Sequence, residues 1–212
     1  MTVEVNIKSN VKEFKKGLTG VQKKQIPFAT SVALNKTGVL VLVGLGRTAT
    51  KTFEGGATAS TLRALKPPKG LKGTRHNIKF STKKDLTTEI FLPAWASKYL
   101  KYQIDGGLRK TPGKGTGVPT RNKKLNEFGN IPGRSSGLIK GKKQFFANIK
   151  GTEGVWERYG TGGRNVRLLI AFEKDTNYRP KFSYYGTARK MVRVHFKRKM
   201  KIELAKALRN AK

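Results

Sequence analysis

The spacing of apolar positions changes several times along this chain, and each change marks an element. Val3, Val5 and Ile7 alternate with Glu4 and Asn6, the period-two pattern of a strand. Asn10 stands at an N-cap position, with Glu13 three residues on for the reciprocal contact of a capping box. Between residues 28 and 53 two patterns compete. Ala29, Val32, Ala33, Lys36, Leu40, Val43 and Arg47 fall near one helical face, and Pro27 suits a first helical turn. Against this, residues 39–43 are a continuous, β-branched apolar run, and Gly38, Gly44 and Gly46 weaken a helix. We read a long helix packed closely against a neighbour, which explains the small residues. Glu54-Gly55-Gly56 ends it. A short helix over 57–66 stops at Pro67-Pro68. Strand-like runs at 74–81 and 86–92, joined by residues 82–85, predict a hairpin. Pro93 opens a short amphipathic helix carrying Trp95, Tyr99, Leu100 and Tyr102.

Residues 105–150 differ in kind. They hold nine glycines and three prolines, and eleven Lys/Arg against Asp105 and Glu127. Apolar side chains are scarce before Phe145-Phe146, so residues 105–143 read as a long, mobile, basic loop insertion. Strand character returns at 144–150, 155–159 and 166–172, and these segments are expected to extend the earlier hairpin. Residues 187–211 form the clearest helix: Val192, Phe196, Met200, Leu204 and Leu208 recur every four residues. The expected fold is α+β in one domain over 1–212. It has a long N-terminal helix, a mainly antiparallel sheet, the basic insertion, and a basic amphipathic C-terminal helix.

Charge adds what the apolar pattern cannot. The chain has 46 Lys+Arg against 12 Asp+Glu, a formal net charge of +34 over 212 residues. Self-repulsion of that size opposes a compact lone monomer unless counterions or an acidic partner offset it. Nucleic acid, an anionic membrane surface and an acidic protein are the partner classes. With no cysteine, disulfides, thiol catalysis and Cys-based zinc sites are excluded. His76 and His195 lie far apart and read as ordinary surface or packing residues. No signal-peptide apolar region opens the chain, and the apolar run at 39–43 is short for a bilayer span. A cytoplasm-like compartment and no membrane partner are expected.

Chemistry-bearing patterns are weak by comparison. Gly44-Leu45-Gly46-Arg47-Thr48-Ala49 matches a dinucleotide-binding fingerprint, but Glu54 comes too early for the ribose contact and Pro67-Pro68 falls where a second strand should start. Gly113-Lys114-Gly115-Thr116 fails the phosphate-loop pattern. The nearest carboxylate pairs, Asp85 with Glu89 and Glu153 with Glu157, have no histidine nearby in sequence and read as partners for surrounding lysines. No enzyme activity, cofactor or metal is expected. The basic clusters are the substantive signal: Arg121, Lys123 and Lys124; Arg134; Lys140, Lys142 and Lys143; and Arg189, Lys190, Arg193, Lys197 and Arg198. Such groups neutralise phosphates without base readout. Tyr184 and Tyr185 lie near them and could stack on bases. Phe145 and Phe146 could do the same, and core packing is the favoured reading for that pair. No zinc finger, RNP motif or GXXG clamp accompanies these clusters.

Residues 26–37, Ile-Pro-Phe-Ala-Thr-Ser-Val-Ala-Leu-Asn-Lys-Thr, and the closing segment 196–208, with Glu203-Leu204-Ala205-Lys206-Ala207-Leu208, flank a basic, glycine-rich strand-and-loop middle. This order resembles the phage minor tail protein family of the lambda Z type, the tail-completion proteins. The resemblance implies a virion protein at the head-proximal end of a tail, made in the host cytoplasm. Its partners would be other tail or head–tail connector proteins and, without sequence preference, viral DNA. It would act as an oligomeric ring or a partner-bound subunit. The rival expectations are a free, sequence-nonspecific nucleic-acid-binding protein for packaging or condensation and, more remotely, a nucleotide-dependent or nuclease enzyme relying on Gly46 or Asp85.

Overall fold

A computed structural model describes residues 4–8, 20–111, 113, 115–132, 139 and 141–210. The chain divides into two compact units, Met1–Ile104 with Lys181–Lys212, and Asp105–Pro180.

The first unit contains β1 (Glu4–Lys8), α1 (Gly20–Thr52), α2 (Ala59–Leu65), β2 (Ile78–Lys79), β3 (Thr87–Phe91), α3 (Ala94–Ile104) and, after the second unit, α4 (Tyr184–Arg209). The capping box expected at Asn10 and Glu13 lies outside the described residues. The hairpin forms: Ile78 pairs with Ile90 and Lys79 with Glu89, and the Thr82 amide donates to the Asp85 carbonyl at 2.8 Å. β1 takes the other edge of β3, giving the antiparallel order β1-β3-β2.

The competition over residues 28–53 resolves as helix, and α1 extends further back than Pro27. That proline sits about two turns inside, where its missing N–H removes one intrahelical bond. At about 1.5 Å per residue, the 33 residues of α1 run roughly 50 Å. Glycine disfavours helix by about 1 kcal/mol against alanine, and of the three interior glycines, Gly38, Gly44 and Gly46, the first two have a packing reason. A Cβ at Gly38 would come within 2.9 Å of Ile78 Cδ1 and Thr88 Cγ2, and one at Gly44 within 2.8 Å of Met191 Cγ. The first lets α1 sit down on the sheet, and the second lets it meet α4. Lys24–Thr52 is long and apolar enough to cross a bilayer, more than the run at 39–43 indicates; 67% of its apolar window is buried inside the protein.

One polar cluster locks α1 to the hairpin. Asn35 is buried, and its Oδ1 accepts from the Ser81 amide (2.8 Å) and from Thr88 Oγ1 (2.8 Å). Its Nδ2 donates to the carbonyls of Ser81 (3.1 Å) and Leu71 (3.3 Å), and Ser31 Oγ donates to Ser81 O at 3.0 Å. A second tie joins α1 to α4: Lys36 Nζ donates to Glu203 Oε1 at 2.7 Å, with the carboxylate nearly buried. Around these lies a continuous core that includes Leu34, Leu42, Leu45, Ile78, Ile90, Leu100, Phe182 and Tyr184.

Among its described residues the second unit has six strands, β4 (Gly107–Lys110), β5 (Thr116–Pro119), β6 (Gln144–Ile149), β7 (Thr152–Tyr159), β8 (Asn165–Glu173) and β9 (Asp175–Tyr178), with turns and one short 3-10 helix, Thr161–Gly163. Two expectations need correction. The segments at 144–172 do not extend the hairpin. They build a separate antiparallel sheet, β5-β8-β7-β6, while β4 pairs with β9. The physical reason is that β7–β8 bury an apolar cluster of their own, Val155, Leu169 and Ile170, separate from the core under the hairpin. Nor is 105–143 all loop, since β4 and β5 lie within it. Both are short strands held by backbone pairing to β9 and β8, which needs no apolar alternation.

Candidate polyanion-binding surfaces

In α4 the backbone turns about 100° per residue, so the side chains separate into two faces. Tyr184, Ala188 and Glu203 are buried, with Met191, Val192 and Phe196 packed against the core. Arg189, Lys190, Arg193, Lys197 and Arg198 are all exposed, on the opposite half of the helix. They span nine residues of rise, roughly 14 Å, and Lys201 continues the exposed stripe. Of the basic groups on this stripe, none forms an ion pair among the described residues. The four-residue apolar repeat is only partly buried. A step of four overshoots the helical turn by about 40°, so by Leu208 the row has rotated into solvent, where Leu208 is 43% exposed. Glu203 and Ala207 are buried instead.

The second unit carries the other clusters. Arg121 and Lys124 are exposed and Lys123 half-buried in the segment after β5. Thr120 Oγ1 and Asn122 Nδ2 anchor that segment by donating to the Leu168 carbonyl at 2.7 and 3.0 Å. Lys142 and Lys143 are exposed in the turn that enters β6. Arg134 and Lys140 lie outside the described residues. A cleft of about 320 Å³ brings Lys123 and Lys124 together with Gln144, Glu157 and Arg167. Glu157 accepts from Arg167 Nε (2.8 Å) and Nη2 (2.6 Å) and from Gln144 Nε2 (3.1 Å). The Arg167 hydrogen bonds above all, then Gln144, hold this carboxyl below the usual range. Much of the Arg167 charge is therefore spent on Glu157, and Lys123 and Lys124 supply the cleft's remaining positive charge.

Sequence reasoning missed Arg167 and Arg158, whose isolation along the chain gives no cluster signal. Arg158 lies 5.2 Å from the centroid of the Phe145 ring. Phe145 and Phe146 are not core residues. Successive residues of a strand face opposite sides, so the pair cannot enter one core together. Phe146 is 50% exposed and stacks on Phe172, and Phe145 is half-buried. Tyr184, by contrast, is fully buried against Phe182 and unable to stack on a base, and burial raises its phenol pKa. Its partner Tyr185 is exposed.

The other chemistry-bearing patterns become structural. Gly44 to Ala49 lies inside α1, not at a strand–helix turn, so it has no phosphate-binding loop. Asp85 and Glu89 both face Lys79, at 3.8 and 3.5 Å. His76 Nε2 meets the Arg63 carbonyl at 3.2 Å, and no cluster of metal-ligating side chains occurs among the described residues. Compared with family models, with curated proteins and with solved structures, the chain has no match.

Proposed function

We propose that this chain is a structural, non-enzymatic phage tail subunit that acts in tail completion at the head–tail junction and touches DNA there without reading its sequence. The observation that carries the DNA contact is the exposed face of α4. Duplex DNA bears one negative charge per roughly 1.7 Å of axis counting both strands, so the length of duplex beside a stripe about 14 Å long carries on the order of eight phosphates on its two strands together. Five cations without carboxylate partners among the described residues suit that field, and lysine and arginine contacts to phosphate carry no sequence information by themselves. The junction assignment rests on the resemblance of residues 26–37 and 196–208. In the fold these two segments are neighbours, joined by Lys36 and Glu203. Connector or tail subunits in a ring would supply the acidic surface that a net charge of +34 requires.

The test replaces Arg189, Lys190, Arg193, Lys197 and Arg198 with glutamine. Duplex binding is then measured across a salt series with the mass in solution recorded, and head–tail joining is measured by complementation. The slope of log affinity against log salt should flatten by about 4 to 5, at roughly 0.9 per lost phosphate contact, and joining should fall with it. An unchanged slope would exclude the DNA contact. Tight binding by the wild-type monomer, with joining unaffected by the substitutions, would favour a free packaging or condensation factor.

A further inference from the structure

Gly46, the last glycine of α1, has no packing reason among the described residues. A Cβ added there meets nothing within 4 Å among those residues, although glycine is the poorest helix former after proline. Two residues advance a helix by about 200°, so Gly46 faces away from Gly44 and from α4. On that side α1 and α2 wall an open groove of about 850 Å³. Its floor is apolar: Leu42 and Leu65 are buried, while Leu62 is 41% exposed. Arg47 and Lys51 rim it on α1, and Arg63 and Lys66 on α2 and its C-cap. All four cations are exposed, none has an ion-pair partner among the described residues, and no acidic residue lines the groove.

We infer that this groove docks an amphipathic helix of a partner protein, apolar on the face that meets Leu62 and the half-buried Val43 and acidic on its flanks. Charge complementarity selects the occupant. Four unpaired cations around an apolar floor favour carboxylates, and a second copy of this chain would bring like charge. Gly46 lets a helix backbone approach closely, as Gly38 and Gly44 do within the fold. An apolar trough between helices is the receptor half of helix-in-groove recognition. The groove shares no residue with the α4 stripe, so the inference stands apart from the DNA contact.

The chain has no cysteine, so an Ala59→Cys variant of the full chain carries a single environment-sensitive dye at the groove. The probe is a synthetic helix of about 18 residues, five turns, with leucine on one face and glutamate on its flanks, added at about 0.15 M salt, where exposed long-range attraction is screened. Saturable dye response is expected, weakened about tenfold or more by Gly46→Leu and by Leu62→Glu. It should be unmoved by an Arg189→Gln, Arg193→Gln, Lys197→Gln variant. Gly46→Ala should keep the fold and raise the melting temperature, which separates groove loss from misfolding. A fall in melting temperature would show that Gly46 is needed internally and overturn the assignment. So would equal binding of a lysine-flanked peptide, or loss of binding in the α4 variant but not in Gly46→Leu. A dye response to phosphatidylglycerol vesicles and not to the peptide, or self-association through this face, would also refute it.

Discussion

In Met1–Ile104 with Lys181–Lys212, side chains as large as Leu34, Phe182 and Tyr184 are fully buried, and two long helices meet closely where Gly44 faces Met191. In Asp105–Pro180 the buried core among the described residues is Val155, Leu169 and Ile170, with Ile131, Ile139 and Phe172 packed against it. That unit spends sixteen Lys/Arg against six Asp/Glu on its 76 residues. Burial of a large apolar side chain contributes about 1.5–3 kcal/mol, so the first unit is held by its core. The second relies on backbone ladders and on polar ties such as Thr120 to Leu168 and Arg167 to Glu157. High positive charge is thus tolerated in two ways: as one face of a well-buried helix, or spread over a thin sheet with little apolar reserve. The thin sheet belongs at the low-stability end of the molecule.

The sharpest way to break this comparison is Ile170→Ala. Truncating a buried isoleucine costs about 2–5 kcal/mol, comparable with all that so small a core can supply. Amide exchange protection should vanish across 105–180, while α1 and α4 keep theirs and the helical circular dichroism holds. Loss of protection in α1 as well would show that the two units do not unfold separately. Asn35→Ala makes the converse cut. It leaves the Ser81 amide and the Thr88 hydroxyl buried without their acceptor, at about 1–3 kcal/mol for each such group. The urea midpoint of the helical signal should fall, with the 105–180 amides unmoved. The smallest effect is with acid. Because the folded Glu157 pKa is depressed, its stabilising contribution is present above the ordinary carboxyl value of 4.5 and is lost as pH falls through the lower folded value. Titration below pH 4.5 should loosen the β7–β8 pairing, read by exchange at Trp156 and Leu168. Glu157→Gln should remove that acid step.

Part of this picture was legible in the residues. The small and apolar helical face within 28–53, the two-sided hairpin and the charge of α4 all leave periodic or compositional marks. The exposed face of α4 followed from charge alone, because five arginines and lysines within ten residues cannot all be buried. The cleft did not follow. Lys123, Gln144, Glu157 and Arg167 lie on separate segments, and only the β5-β8-β7-β6 pairing brings three of those segments side by side. Strand pairing depends on which edges are free, and no single segment carries that information.

By itself, then, the sequence determined the α+β class, the helices, the hairpin and the large positive charge, since each is a local property of spacing or composition. Only the tertiary structure decided that the later strands form their own sheets and that Asn35 and Lys36 tie α1 to the hairpin and to α4. It also decided that Leu208 turns outward while Glu203 is buried, and that Gly46 opens onto a groove whereas Gly38 and Gly44 close onto neighbours. Those outcomes depend on which surfaces meet, and a residue's partners across space are set by packing, not by its place in the chain.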